Sequence, residues 1–187
     1  MTRSFSSQQV DERITNECVE LALRSPSAGK SQGWHLLLFE GDATSNYWNI
    51  ALPEDKRSGF VFPGLLNAPC IALVLADTQA YLQRYSESDK AATGLGASTD
   101  AWVAPYWTID ASFATMTFLL ALEEREIGAL FFAHAQEAEL RRAFHIPDHV
   151  EVLGTIAFGY PENDTRKGRS SSRTSKSAKD VVHRLTW

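Results

Sequence analysis

The segment Ser25-Pro26-Ser27-Ala28-Gly29-Lys30-Ser31-Gln32-Gly33-Trp34 sets the path of the first part of the chain. Before it, apolar residues recur at helical spacing and predict a helix that Asp11 caps and that runs to about Arg24. Pro26 ends this helix, because the residue before a proline is pushed out of the helical region. After it, Trp34 opens a continuous apolar run that predicts a buried strand. The segment is therefore predicted to be a polar turn between a helix and a strand.

The rest of the chain alternates between apolar runs and helical patterns. Buried strands are predicted over residues 34–39, 69–75, 129–132 and 150–160. Helices are predicted over residues 42–52, 78–85, 108–125 and 136–144, with loops over residues 53–63 and 87–105. The helix over 108–125 is apolar nearly all round, so we expect it to be buried on several faces, in a core or between subunits. This alternation indicates an α/β or α+β fold.

Composition predicts a single-domain protein without nucleic-acid or membrane partners. The chain has 187 residues, of which 44% are hydrophobic and 22% charged, and its formal net charge is -5. The most apolar stretch, residues 111–122, is shorter than the ~20 residues of a membrane span, and the N-terminus shows no signal-peptide pattern. Cys18 and Cys70 lie in apolar stretches without metal-type neighbours, which predicts buried free thiols. We therefore expect a cytoplasmic protein.

Charge is uneven along the chain, because residues 162–187 carry seven basic residues against three acidic ones. One interpretation is a solvated tail. The other is a basic tail that packs on the single domain or on a partner subunit and binds a small anion such as a phosphate. The sequence leaves both interpretations open.

Several catalytic motifs are absent from the sequence. There is no phosphate-binding P-loop and no GxSxG nucleophile turn, and Gly94-Leu95-Gly96 lacks the third glycine of a dinucleotide fingerprint. Pro147 separates His145 from His149 and breaks the helix that would align them on a metal, so no metal site is predicted. The turn over residues 25–32 offers hydroxyls, an amide, an ammonium and backbone N–H groups. It is either a solvated helix stop or part of a site for a cofactor that brings its own chemistry.

The order of several short motifs resembles that of the nitroreductase family. Pro26-Ser27, Ser31-Gln32 and Trp34 are similar to its proline-serine, asparagine, glutamine-proline-tryptophan signature. The further landmarks, in family order, are Ala68-Pro69, Asp110, Glu126-Ile127-Gly128-Ala129-Leu130, Leu140-Arg141, Ile146-Pro147, Gly159-Tyr160-Pro161, and Val181-Val182-His183-Arg184 with Trp187, the last resembling a subgroup of small members. The resemblance covers nearly the whole chain.

This resemblance implies an α+β, nitroreductase-like fold, with a mixed, mostly antiparallel sheet flanked by helices in an intertwined homodimer. It further implies an FMN-dependent NAD(P)H:acceptor oxidoreductase that transfers hydride through the flavin N5 in a ping-pong reaction. Nitroaromatics or quinones are the expected small-molecule acceptors, and no catalytic side chain is expected because the flavin carries the chemistry. The alternatives are a flavin-binding or sensing protein without nicotinamide turnover, a dehalogenase-like or flavin-destructase-like variant, and an interaction protein without a cofactor.

The resemblance also assigns site residues. The FMN-binding candidates are Arg3, Phe5, Ser25, Pro26, Ser27, Lys30, Gln32, Phe131, Ala133, His134, Arg173 and Lys176. Among them Arg3 and Arg173 fall on phosphate contacts, and residues 25–27 fall on a turn that reaches the flavin across the subunit interface. Phe131, Ala133 and His134 fall beside the isoalloxazine ring.

Substrate-binding candidates come from loop position and aromatic content rather than from a family motif. These are Lys90, Trp102, Tyr106 and Trp107, and each aromatic residue among them has packing as its alternative role. Trp107 and Asp110 are also expected near the second subunit by the resemblance.

The chain departs from the family pattern at the phosphate-binding positions and within the turn. Lys30 replaces the family's asparagine, Gly33 its proline, and Ser175 a second basic residue of the tail, although Lys176 is adjacent. The family's arginine and serine upstream of Arg3 have no counterpart. Each charge-assisted hydrogen bond is worth about 1.5–3 kcal/mol, so FMN binding is predicted to be weak unless Lys30 and Lys176 compensate.

Overall fold

A computed structural model describes residues 1–162 and 172–187 of the chain. The helices are α1 (Glu12–Ala22), α2 (Thr44–Ala51), α3 (Glu54–Arg57), α4 (Thr78–Ser86), α5 (Tyr106–Glu124) and α6 (Glu137–Ala143). The strands are β1 (Trp34–Glu40), β2 (Cys70–Asp77), β3 (Gly128–Phe132) and β4 (Val150–Gly159). Each predicted helix and strand is present, with ends shifted by no more than a few residues. Within the described ranges, none of these helices has the length and apolar character needed to cross a membrane.

The four described strands form one sheet in the order β1-β2-β4-β3. All three pairings are antiparallel, with Leu37 opposite Leu73, Ala72 opposite Ile156 and Leu130 opposite Ala157. The α+β class is confirmed. The described sheet is antiparallel throughout, whereas the resemblance implied a mixed, mostly antiparallel sheet. β2 and β3 run in the same direction, but they do not pair because β4 lies between them.

The sheet separates two apolar clusters, and the central strand β2 serves both. Its alternate residues Ala72, Val74 and Ala76 pack with α1, α4 and α5 on one face. Ile71, Leu73 and Leu75 pack with α2 and α6 on the other face. This two-sided burial explains why β2 is a continuous apolar run, since a strand with one wet face would alternate.

Capping residues fix where two of the helices begin. Asp11 accepts a hydrogen bond from the backbone N–H of Arg13 at 2.9 Å, as the sequence predicted for the start of α1. Asp77 closes β2 and accepts from the N–H of Gln79 at 2.8 Å, which starts α4 immediately after the strand. The strand-to-helix junction at Asp77 therefore has no intervening loop.

The predicted loops contain more structure than the sequence suggested. Residues 53–63 were predicted as a loop, but they include α3, a four-residue helix too short and too polar to produce an apolar period. The loop over 87–105 contains two 3-10 turns and is held by Trp102, whose indole N–H donates to the carbonyl of Leu95 at 2.9 Å.

The described part of the tail, residues 172–187, is exposed and contains a 3-10 turn at Ala178–Asp180. The basic residues Arg166, Lys167 and Arg169 lie outside the described residues. Packing of the tail on the domain or on a partner subunit stays a prediction.

Candidate functional site

The loop between α1 and β1, residues 23–33, has an unusual backbone. Gly29, Lys30 and Gln32 all adopt the left-handed conformation, with φ of 60°, 60° and 52°. Two of these are not glycine, and a residue with a Cβ is disfavoured in this region. Within the loop, the Gln32 N–H donates to Ser27 Oγ at 3.1 Å and the Ser31 hydroxyl donates to the Ala28 carbonyl at 2.7 Å. We call this segment the α1–β1 loop.

Side chains of α4 and α5 hold the α1–β1 loop in place. Asp110 Oδ2 accepts the Ala28 N–H at 2.7 Å and the Tyr81 hydroxyl at 2.9 Å. The Ser25 hydroxyl lies 2.8 Å from that of Thr117, and Arg84 Nε donates to the Gly29 carbonyl at 2.8 Å. Side chains of the two helices thus tie the loop to the protein at Ser25, Ala28 and Gly29.

Asp110 and Tyr81 form the buried anchor among these contacts. Asp110 is 7% exposed and Tyr81 1% exposed. Burial raises the pKa of the Tyr81 hydroxyl, and its hydrogen bond to Asp110 raises it further, so it stays a hydrogen-bond donor. The sequence identified Asp110 as a family landmark expected near the second subunit, but not as a contact of this loop, and it did not identify Tyr81. The sequence feature that could have identified Asp110 as a contact is that it is a lone carboxylate in the first turns of an otherwise apolar helix.

The loop faces two cavities of different character. A small cavity of about 20 Å³ lies between Ser27, Gln32, Tyr81 and Asp110, which is room for about one water molecule. On the other side, Ser25 and Pro26 border an open groove of about 470 Å³. The remaining lining of this groove is Leu21 from α1, Arg24 from the α1–β1 loop, and Phe113, Met116, Thr117 and Leu120 from α5. Ser25 and Pro26 therefore meet an open, largely apolar surface, whereas Ser27 and Gln32 line the small cavity.

The N-terminal candidates Arg3 and Phe5 lie at the β3 edge of the sheet. The Thr2 N–H donates to the Ala129 carbonyl at 3.0 Å, and Phe5 forms a bridge with Pro161. The Phe5 ring is fully buried in the core. The Arg3 guanidinium lies 5.4 Å from the centre of the Phe62 ring. Arg3 thus presents a cation at this edge, while the Phe5 side chain packs inside.

Phe131 and the residues after it lie at the end of β3. Phe131 is 39% exposed and lines an apolar cavity of about 230 Å³ between α5 and the sheet, together with Val74, Met116 and Leu153. Ala133 follows in the turn that leads to His134. Phe131 therefore continues the apolar surface that Met116 shares with the groove beside the α1–β1 loop.

His134 belongs to a short polar network at the start of α6. Its Nε2 lies 2.9 Å from Glu137 Oε2, and Glu137 Oε1 accepts from Arg141 Nε at 2.8 Å. Hydrogen bonds from His134 and then Arg141 hold the pKa of the Glu137 carboxyl below its usual value. His134 Nδ1 is buried and has no hydrogen-bond partner within the described parts of the chain.

The substrate-binding candidates lie in the loop over 87–105 (Lys90 and Trp102) and at the start of α5 (Tyr106 and Trp107), and they pack around Tyr85 of α4. Trp102 packs edge-on against Tyr85, with ring centres 4.6 Å apart, and lies 5.6 Å from the Tyr106 ring. Trp107 is 6% exposed, and its indole N–H donates to Glu151 Oε1 at 2.8 Å. The Lys90 ammonium lies 5.7 Å from the Tyr85 ring centre. This geometry gives Trp102 and Trp107 a packing role, and a role of the four residues in substrate binding stays a prediction.

The candidate residues fall into separate groups within one chain. Ser25, Pro26, Ser27, Lys30 and Gln32 share the α1–β1 loop, whereas Arg3, Phe5, Phe131, Ala133 and His134 surround β3. Arg173 and Lys176 are exposed in the described tail. Trp107 and Asp110, expected near a second subunit, are buried within the single chain.

The donor set fits a flavin phosphate ligand rather than a metal ion. Hydroxyl, amide and backbone N–H groups of the α1–β1 loop suit a polar ring edge, the exposed apolar side chains suit ring faces, and Arg3 suits a phosphate. Within residues 1–162 and 172–187, no three His, Cys, Asp or Glu side chains converge as metal ligands would. The residues present therefore suit an amphipathic, anionic cofactor.

Comparisons with known proteins agree with one another. A family model described as "Nitroreductase family" matches residues 1–160. The "Putative NADH dehydrogenase/NAD(P)H nitroreductase" of Archaeoglobus fulgidus is 24% identical over 192 residues, covering 99% of this chain and 92% of its own.

Solved structures share the fold. A nitroreductase family protein from Streptococcus pneumoniae TIGR4 has a TM-score of 0.74 at 17% identity, covering 98% of this chain and 94% of its own. Nitroreductase CinD from Lactococcus lactis, solved with 4-nitrophenol, has a TM-score of 0.74 at 19% identity, covering 100% and 95%.

Proposed function

The chain belongs to the nitroreductase family and is an oxidoreductase, and from that premise we propose that it is an FMN-dependent NAD(P)H:acceptor oxidoreductase of the nitroreductase or quinone-reductase type. The observation that carries this proposal is the α1–β1 loop, a strained polar loop held at the rim of an open apolar groove. When bound, FMN supplies the hydride-accepting N5 for a ping-pong reaction with nicotinamide and then a small-molecule acceptor.

The chain's own residues are proposed to bind and orient the cofactor. Ser25, Ser27 and Gln32 would hydrogen-bond its polar edge, and Phe131 would pack against its ring. Arg3 would hold the phosphate, which its position over Phe62 supports because a guanidinium above a ring can still donate hydrogen bonds, although its Nη1 also donates to the Met1 carbonyl at 3.5 Å. Lys30, Arg173 and Lys176 are proposed as further contacts to the phosphate.

A homodimer is proposed to complete the site. The outer face of α5 exposes three large apolar side chains, with Phe113 at 48%, Met116 at 52% and Leu120 at 57%. Apolar side chains grouped in this way favour burial against a partner. The cofactor-binding candidates of the α1–β1 loop and those around β3 lie on different parts of one chain, which supports a site made from two copies.

The proposed partners are a second copy of the chain and a small-molecule acceptor, without nucleic acid or membrane. Cys18 and Cys70 are buried free thiols. Buried thiols without a disulfide are typical of a reducing compartment, which supports the proposed cytoplasmic location.

An absorbance spectrum of the purified protein, with and without added FMN, tests the proposal. We expect a yellow protein whose flavin absorbance bleaches when NADPH or NADH is added without oxygen. A colourless protein that takes up no added FMN would contradict the proposal.

A second candidate is a flavin-binding or sensing protein without nicotinamide turnover. This candidate is favoured by the exposure of Arg173 and Lys176, because exposed tail residues are not held in place to bind a phosphate. Arg3 is then the remaining basic candidate at the β3 edge. FMN that binds but is bleached by neither nicotinamide would support this candidate. Product analysis under air distinguishes a dehalogenase-like or flavin-destructase-like variant.

A further inference from the structure

Asp110 is a buried carboxyl group near the start of α5, a helix that is otherwise apolar over most of its length. Between Tyr106 and Leu122 the only charged residue of this helix is Asp110, which is 7% exposed. Burying a carboxyl group is costly unless hydrogen bonds satisfy it. Its position in the fifth place of the helix is not that of a cap, so it does not serve the start of α5 itself.

The hydrogen bonds of Asp110 serve the α1–β1 loop. Residues Ala28–Lys30 form a 3-10 turn whose own N-cap residue, Ser27, makes no capping hydrogen bond. The first N–H of that turn, from Ala28, is instead taken by Asp110 Oδ2 at 2.7 Å. This leaves Ser27 Oγ free to accept from the Gln32 N–H and to close the loop. Asp110 therefore caps a turn that lies 82 residues away in the sequence.

Tyr81 fixes the carboxyl group in the orientation that this contact needs. Its hydroxyl donates to the same oxygen at 2.9 Å, and its side chain is 1% exposed. The hydrogen bond from Ala28 to Asp110 is partly buried, as are the ties at Ser25 and Gly29, but only Asp110 has a buried hydrogen bond, from Tyr81, behind it. The buried side chains of Asp110 and Tyr81 thus back the tie at Ala28, which opposes the relaxation of Lys30 and Gln32 out of their left-handed conformations.

We propose that Asp110 and Tyr81 are positioning residues that hold the α1–β1 loop in the shape in which it binds flavin. The identity of the ligand as flavin rests on the proposed function. The role of Asp110 and Tyr81 in fixing the conformation of the loop does not depend on it. Neither side chain is assigned a contact with the cofactor. Both act through Ala28 on the groups offered by Ser25, Ser27 and Gln32.

Two measurements on full-length protein test the inference. The first is hydrogen–deuterium exchange of the peptides covering residues 23–33 in the flavin-free protein. The second is the dissociation constant for FMN, measured by quenching of flavin fluorescence. The variants are Tyr81→Phe, Asp110→Asn and Asp110→Ala. The matched control is Tyr47→Phe, because Tyr47 is also 1% exposed and its hydroxyl lies 3.0 Å from a side-chain oxygen, that of Thr155, in the other core cluster.

We expect Tyr81→Phe to speed exchange in the loop and to weaken FMN binding by about two- to tenfold, the effect of one net hydrogen bond. Asp110→Ala should have a larger effect, and Asp110→Asn should restore part of the loss because its amide oxygen still accepts. Tyr47→Phe should leave loop exchange and FMN binding unchanged while lowering the melting temperature to a similar extent.

Unchanged loop exchange in Tyr81→Phe would overturn the inference, as would equal weakening of FMN binding by Tyr47→Phe. If Asp110→Ala does not fold, Tyr81→Phe decides the test. If the wild-type protein takes up no FMN, the proposed function fails, and the exchange rates still decide whether this pair holds the loop.

Discussion

Gly33 occupies the position at which the family pattern has proline, and the structure gives a steric reason for its missing side chain. A Cβ at this position would lie 2.7 Å from the backbone oxygen of Asp77 and 2.8 Å from the Tyr81 ring. The Gly33 carbonyl also accepts from the Asp77 N–H at 2.7 Å. The end of the α1–β1 loop and the start of α4 thus approach more closely than any side chain would permit.

Substituting Gly33→Ala is therefore expected to lower the free energy of unfolding by about 1–3 kcal/mol, the cost of forcing extra atoms into a packed site. Urea denaturation measures this change. Gly59→Ala is the matched control, because a Cβ there would meet no atom within 4 Å. Equal effects of the two substitutions would refute the steric explanation.

Tyr47 gives the protein a pH-dependent contribution to stability. Burial raises the pKa of its hydroxyl from 10.0 to about 12, although the hydrogen bond to Thr155 lowers it slightly. Because the folded pKa lies above the unfolded one, the contribution is fully present below pH 10 and is lost as the pH rises towards 12.

Tyr47→Phe should accordingly flatten the loss of stability between pH 10 and pH 12. Two pKa units correspond to about 2–3 kcal/mol of pH-dependent free energy. The measurement is the urea midpoint of both proteins across this range. Identical pH profiles for wild type and variant would show that Tyr47 does not titrate in this way.

At the scale of elements, α4 links the sheet to the α1–β1 loop. It starts directly from β2 at Asp77 and carries Tyr81 and Arg84, which both hold the loop. Its N-terminus depends on Asp77 Oδ1, which accepts from the N–H groups of Gln79 and Ala80 at 2.8 and 3.3 Å. The position of the loop therefore depends on how firmly α4 begins.

We expect Asp77→Ala to destabilise the protein by about 1 kcal/mol, the usual loss for an N-cap side chain, and to speed amide exchange in the first turn of α4. Asp100→Ala serves as the control because Asp100 is exposed in a 3-10 turn. The capping role would be contradicted if amide exchange in α4 became faster in Asp100→Ala, or if it did not become faster in Asp77→Ala.

Element prediction from the sequence was accurate where one physical rule dominated. Apolar runs located the strands, and Asp11 and Pro26 marked the ends of α1, because periodicity and backbone restrictions act locally. The four-residue helix α3 was missed because its sequence Glu54–Arg57 is wholly charged and shows no apolar face. A mostly antiparallel sheet was expected from the family resemblance, but the strand order β1-β2-β4-β3 was not predicted, because pairing depends on contacts between distant segments.

At the scale of the whole molecule, α5 joins the core to an outer surface. Its inner residues Ala111, Ala114 and Phe118 are buried, whereas Phe113 and Leu120 are about half exposed. The expected burial on several faces is present for the inner residues within the single chain, and burial of the outer face against a partner stays a prediction.

Leu120→Glu is expected to convert the proposed homodimer to monomer and to weaken FMN binding, because it places a charge on the outer face of α5. Its effect on the unfolding of the isolated chain should stay within about 0.5 kcal/mol, as for other surface substitutions. Sedimentation velocity measures the assembly. Val103→Glu, at an apolar residue that is 95% exposed elsewhere, is the control. Monomeric wild-type protein, or an unchanged dimer in Leu120→Glu, would contradict the prediction.

The order of helices and strands, the polar turn after α1 and the family landmarks could be read from local patterns, because helix periodicity, strand alternation and proline restrictions act over a few residues. The shape of the α1–β1 loop could not be read in this way. Its strained residues persist because Asp110, 82 residues from Ala28, supplies the capping hydrogen bond, and because Tyr81 orients that carboxyl group. Such contacts form only when α4 and α5 pack against the sheet, so the packed fold alone decides which groups of the loop face the groove.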